Sequence, residues 1–298
     1  DTATTVEGAR LAGRVLSHSG EPVAGTSIAI TGTARSTKTD RWGHYSLNIS
    51  PWPEPQTITI RHPRWASPSP RYDMTFALTE TRPFTWTLRP LDDALANGEF
   101  EAGLQGWMVR SAGGLEPKAV SGPVHTGRAA LDLAGVTLAT PERPAPSELA
   151  VGVAQTVTLT NAWQPALSFW YRLPDLLAEG QPGRVTPGTF NVILTTVAQP
   201  GNTPPVTTTR ILTPDLGLSG WQHAWSYLGP PSAAFTGTVG VYFRWVGQPG
   251  TDAATVFLDE VSLGSTPGGP FRLHLPLAAH GNGATDAGSL QPPKRASP

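Results

Sequence analysis

The 298-residue chain contains no cysteine, which excludes disulfide staples, thiolate metal sites and a thiol nucleophile. Charge is scarce as well: 14% of residues are charged and the net charge is −1 at pH 7. Nothing in that balance points to nucleic acid or an acidic membrane surface as partner. No apolar run approaches the ~20 residues that cross a bilayer as a helix, so no transmembrane segment is expected. The opening DTATTVEG lacks the basic and apolar regions of a signal peptide. It reads as a mature or trimmed start, and an exported, extracellular protein is the expectation. Catalytic signatures are missing too. The histidines His18, His44, His62, His125, His223, His274 and His280 show no two-histidine zinc spacing, and no G-x-S-x-G elbow, phosphate loop or dinucleotide fingerprint occurs. Adjacent acids, Asp92 with Asp93 and Asp259 with Glu260, point apart on strands or linkers and do not make a glycosidase pair. The expectation is therefore a protein that is not an enzyme.

What is present favours strands. Hydrophobic residues make up 39% of the chain, with 32 glycines and 31 prolines, a composition suited to short strands and turns. Ten tryptophans supply rings that must be buried or used as contact surface. Over residues 1–91, Arg10 to Ser17 alternates, SGEPVAG turns, and Thr26 to Thr31 forms a second strand. TDRWGHYSLNI then sets an acidic turn and Gly43 before a third strand, Tyr45 to Ile49. Asp40, Arg41 and His44 read as that turn, not as a site. With QTITIRH, YDMTFAL and FTWTLRP, about seven short strands argue for an Ig-like β-sandwich. The run AGRV…GEPVAGTSIAITGT…STKTDRWGHYSLNI resembles the carboxypeptidase regulatory-like domain family, a transthyretin-like sandwich common in exported bacterial proteins. That resemblance implies a spacer, adhesion or docking module.

Residues 92–265 open on LANGEFEAGLQGW and close on ATVFLDEVSLGS. Between them lie short β-branched or aromatic segments bounded by Gly, Pro, Asn or Asp, and no convincing amphipathic helix, which predicts an antiparallel jelly roll. NGEFEAGLQGW, AQTVTL…LSFWYR and VFLDEVSLG resemble the jelly-roll carbohydrate-binding modules of secreted glycosidases. The resemblance implies two sites. One is a structural calcium ion joining the opening segment to the closing acid, with Glu101, Asp259 and a backbone carbonyl near Gly98 as the matching oxygens. Calcium takes roughly six to eight oxygens, so acids from distant parts of the chain suit it. The other is a platform on which a sugar ring stacks. Alternation sets Trp170 opposite Leu167, Phe169 and Tyr171, and sets Tyr242 and Arg244 opposite Val241, Phe243 and Trp245. Trp170, Tyr242 and Arg244 are thus candidates for one outer concave sheet, with Trp163, Trp221 and Trp225 on loops nearby. The competing reading, in which these rings cover core or meet another domain, is the commoner use of aromatic residues.

Residues 266–298 add a joint at Gly268, Gly269 and Pro270, then an alternating strand with Phe271, Leu273, Leu275 and Leu277 on one side, then a polar tail. Such a strand can cover a sheet edge within its own chain or add to the sheet of a neighbouring copy. The leading expectation is a non-catalytic extracellular structural subunit, a homopolymer that builds a fibril or surface layer through this strand. The alternative is a carbohydrate-binding protein that attaches a cell or enzyme to polysaccharide, and a third is an accessory fragment of a secreted hydrolase. NIS at Asn48 is an N-glycosylation sequon, and the Thr- and Pro-rich stretch from Thr203 to Thr209 could carry O-glycans.

Overall fold

A computed structural model of the chain describes residues 8–49, 55–67, 72–76, 80–112, 116–133, 149–173, 188–197, 207–212, 220–228, 234–247 and 256–266. The joint Gly268 to Pro270, the strand with Phe271, Leu273, Leu275 and Leu277, the tail and Thr203 lie outside the described residues. The described residues contain strands and turns and no helix, so the all-β expectation holds.

The first module comprises β1 (Ala9–Ser17), β2 (Ser27–Ile30), β3 (Ser36–Lys38), β4 (His44–Ile49), β5 (Gln56–Arg61), β6 (Tyr72–Met74) and β7 (Thr81–Leu88). One sheet has the order β4-β1-β7 and the other β3-β2-β5-β6. The period of two decides what is buried: in β4, Tyr45, Leu47 and Ile49 point inward while His44 and Asn48 are exposed. They meet Leu11, Val15, Ile28, Ile58 and Trp86 in one core. Trp86 Nε1 donates to the Tyr45 hydroxyl at 2.9 Å, which donates to the Phe84 carbonyl at 2.9 Å, so these core polar atoms are paired. The turn into β4 forms as its residues dictate. Asp40 Oδ1 accepts the amides of Trp42 and His44, and Gly43 takes φ 77°, where a Cβ would lie 2.4 Å from the Val15 carbonyl oxygen.

The second module comprises β8 (Met108–Ala112), β9 (Lys118–Val120), β10 (Ala130–Asp132), β11 (Leu149–Trp163), β12 (Ala166–Arg172), β13 (Gly188–Val197), β14 (Thr207–Leu212), β15 (Gln222–Tyr227), β16 (Ala234–Gly247) and β17 (Phe257–Gly264). They form two five-stranded antiparallel sheets, β15-β12-β17-β10-β9 and β14-β13-β16-β11-β8. Between them lies a second core with Phe100, Phe169, Phe190, Phe243 and Trp245 at its centre. Phe169 and Phe243 meet edge to face, centroids 5.2 Å apart, the favoured aromatic geometry.

The first module lies against the outer face of the sheet β15-β12-β17-β10-β9, hereafter the junction sheet. His18 Nε2 is 3.3 Å from the Gly264 carbonyl oxygen, Pro90 covers Gly264, and the Trp225 ring rests on Gly20. The outer face of the other sheet carries exposed Met108, Arg110, Thr156 and Thr158; we call it the open sheet.

Candidate functional site

Trp170 stands at the centre of the junction. It projects from β12 on the face away from Phe169, as its place in the alternation requires, and is 7% exposed. Its indole Nε1 donates to Thr87 Oγ1 of the first module at 2.9 Å. Its ring stacks on His125, centroids 3.7 Å apart with planes 15° off parallel, and on His223 at 5.2 Å and 26°. The stack continues from His125 to Phe84 of the first module at 5.5 Å, while Trp221 meets His125 edge-on at 5.7 Å. Trp225 lies within β15, 39% exposed, not on a loop. Trp163 ends β11, its Nε1 buried without a hydrogen-bond partner among the described residues.

These positions correct the expected platform. Trp170 belongs to the junction sheet, whereas Tyr242 and Arg244 sit on β16 of the open sheet, so the three do not line one face. Trp221 and Trp225 also fall on the junction side. Each strand's own alternation places these side chains on the face its sequence implies; which sheet a strand joins depends on pairing between distant segments.

The junction holds charged groups in largely buried positions. His125 Nδ1 lies 3.3 Å from Glu260 Oε1, and both side chains are buried. Arg89 bridges to Glu99 at 2.9 Å and to Asp93 at 3.7 Å. Burial disfavours charge on Arg89, but Glu99, Asp93 and Glu260 outweigh it and raise its pKa. Burial lifts Asp93 to about 6 against the pull of the Leu263 amide and Arg89. Burial likewise pulls His18 and His223 down to about 4 each, partly offset by the Gly264 carbonyl for His18 and by Glu260 for His223.

The residues expected to hold calcium are engaged otherwise. Asp259, fully buried, accepts the amides of His125 and Thr126 on Oδ2 and that of Glu260 on Oδ1. Burial and the neighbouring Glu260 push its carboxyl well above the ordinary range. Glu101 Oε1 accepts the amides of Arg128 and Ala129, and the Gly98 carbonyl accepts the Val261 amide. The loop from His125 to Ala129 thus supplies N–H groups where an ion would have been, and no cluster of three His, Asp or Glu suited to a metal occurs among the described residues. A calcium ion there would share oxygens that already accept these amides.

The open sheet presents the remaining candidates on four adjacent strands. One register row runs Asn191, Arg244, Gly152, Arg110; the next runs Ile193, Tyr242, Ala154, Met108. Gly152 and Ala154 leave a shallow floor between long side chains. The half-buried Tyr242 ring leans over it, since a Cβ on Gly152 would lie 2.6 Å from Tyr242 Cε2. The Arg110 guanidinium stands 5.9 Å from the Tyr242 ring centre, and Met108 is 59% exposed beside it. An aromatic ring held against a flat strand surface, with guanidinium and amide groups within reach, is chemically suited to the apolar face and peripheral hydroxyls of a sugar. Sequence reading missed Gly152, Arg110, Asn191 and Met108. The glycine inside VGVAQTV was the available signal, because a strand-interior glycine marks a close approach. Asn48 is exposed on β4, an edge strand, and Asp40, Arg41 and His44 form the turn before it.

Residues 10–89 match the family model of the carboxypeptidase regulatory-like domain, as the resemblance of the first module implied. No curated protein matches the sequence. Solved structures similar to the chain include a family 61 carbohydrate-binding module in complex with β-1,4-galactotriose, at 16% identity and a TM-score of 0.39, covering 58% of this chain and 99% of that one. Another is the family 11 carbohydrate-binding module of a cellulosomal cellulase of Clostridium thermocellum, at 15% identity and a TM-score of 0.33, covering 58% and 95%. A third is a xylan-binding domain from Paenibacillus barcinonensis, at 16% identity and a TM-score of 0.30, covering 54% and 85%. No helix among the described residues is long and apolar enough to cross a membrane.

Proposed function

We propose that the chain is a non-catalytic, extracellular carbohydrate-binding protein whose open sheet takes the ligand and whose first module braces the opposite face. The observation that carries this reading is Tyr242 leaning over Gly152 on an open face, flanked by Arg110, Arg244 and Asn191. A polysaccharide needs an extended shallow surface, and four strands at ~4.8 Å spacing provide one roughly 15 Å across. This reading takes precedence over self-assembly because the face around Tyr242 is formed and open. The test is capture of neutral polysaccharides by the full chain and by Tyr242→Ala. Loss of a stacking contact worth ~1.5 kcal/mol weakens affinity about tenfold. Equal capture by both proteins rejects Tyr242 as the platform.

A further inference from the structure

A second concave feature lies on the junction, away from the open sheet. It is a cleft of about 630 Å³ whose walls come from both modules. The first module contributes Asp73, Arg82 and Phe84; the second contributes Glu101, His125 and Arg128. Small-molecule sites commonly occupy ~300–1,000 Å³ and favour domain boundaries. The floor is Phe84 stacked on His125, a surface that exists only because the two modules are docked.

The chemistry of the walls narrows the ligand. The third wall carboxylate, Glu99, is paired with Arg89 at 2.9 Å. The other two, on Asp73 and Glu101, are matched in number by the guanidinium groups of Arg82 and Arg128. The cleft therefore has no excess of either sign and offers both acceptors and planar multi-donor groups. An anion would face Asp73 and Glu101, and a cation would face Arg82 and Arg128. A neutral ligand rich in hydroxyls meets neither repulsion, because each hydroxyl both donates and accepts. Several wall groups are already fixed: Arg82 Nη1 donates to the Thr75 carbonyl at 3.3 Å, Asp73 Oδ1 accepts the Thr57 hydroxyl at 2.6 Å, and the Arg128 and Ala129 amides hold Glu101. Groups held this way lose little freedom when a ligand arrives.

We propose that this cleft is a second binding site, for a short uncharged oligosaccharide, built jointly by the two modules and independent of Tyr242. Arg128 is the residue to alter: its side chain is exposed, and only its backbone amide supports Glu101. The full chain, Tyr242→Ala and Arg128→Ala are applied to an array of neutral oligosaccharides, with thermal unfolding as the control for folding. The expected result is a glycan that Tyr242→Ala still captures and that Arg128→Ala, folded as the parent is, binds at least tenfold more weakly. Three results overturn the proposal: every captured glycan lost with Tyr242→Ala, no glycan weakened by Arg128→Ala, or no neutral oligosaccharide captured by the parent. Loss with Arg128→Ala alone supports the cleft while rejecting Tyr242 as a platform, so the two readings fail separately.

Discussion

Replacing Trp170 by alanine separates a junction residue from a sugar platform. The indole is 7% exposed, stacked at 3.7 Å on His125 and hydrogen-bonded at 2.9 Å to Thr87. Truncating a buried tryptophan costs ~3–5 kcal/mol. At ~2–4 °C of midpoint per kcal/mol for a chain approaching this size, Trp170→Ala should lower the unfolding midpoint by roughly 6–20 °C. Trp170→Phe keeps a ring against His125 but removes the Nε1 donor. The Thr87 hydroxyl then lacks its partner, at a cost of about 1 kcal/mol and a few degrees. Scanning calorimetry on the full chain and both variants reads these shifts, with polysaccharide capture measured on the same samples. A Trp170→Ala protein that melts within about a degree of the parent yet no longer captures polysaccharide would refute the reasoning. It would show that the ring faces ligand instead of the first module.

Two further predictions follow from the buried polar groups. His18 and His223, ordinarily near 6.5, are held at about 4 by burial, so both are neutral in folded and unfolded chains above pH 6.5. As pH falls from 6.5 towards 4 the unfolded chain binds protons that the fold refuses, and each imidazole costs up to about 3 kcal/mol. Asp93, raised to about 6 from 3.8, acts with the opposite sign: between those values the fold is protonated there and the unfolded chain is not, which returns about 3 kcal/mol. Urea unfolding should therefore show a steeper loss of stability from pH 6 to 4 in Asp93→Asn than in the parent, and parallel profiles would count against the assignment. Millimolar calcium or a chelator should leave the unfolding midpoint in place. An ion at a hundredfold its dissociation constant would add about 2.7 kcal/mol, so a rise of several degrees would show calcium displacing the loop amides from Glu101 and Asp259.

What was legible in the sequence was local. Alternation in ALSFWYR and VGVYFRWV assigned Trp170, Tyr242 and Arg244 to the correct face of their own strands, because the period of two is a property of the strand alone. The partner of each face was not legible. Trp170 meets Thr87, 83 residues away, and no periodicity specifies that approach. The pairing that places β12 with β15 and β17, and β16 with β11 and β13, is likewise non-local. Calcium is a separate case. Glu101 and Asp259 are acids of the expected type in the expected places, but their partners are backbone amides of the loop from His125 to Ala129. Every residue except proline carries such a donor, so the loop leaves no mark in the sequence.

The two outer faces of the second module have different fates for one physical reason. A large ring on a sheet face must be covered or must serve as a contact surface, since its exposure to water is unfavourable. On the junction sheet Trp170 reaches the first module through Thr87 and Trp225 through Gly20, while Trp221 meets His125, which stacks on Phe84. On the open sheet the floor is kept low by Gly152, Ala154 and Gly240, with Tyr242 and Met108 standing over it. The first module thereby covers Trp170 on the more aromatic face while Trp225 and Tyr227 stay partly exposed, and on the proposed reading the open sheet takes the extended polysaccharide. It also fixes direction. On the two readings proposed above, a polysaccharide lying across Tyr242 faces away from the first module, which would stand behind the binding surface as a spacer and contribute to recognition through the cleft beside Phe84 and His125.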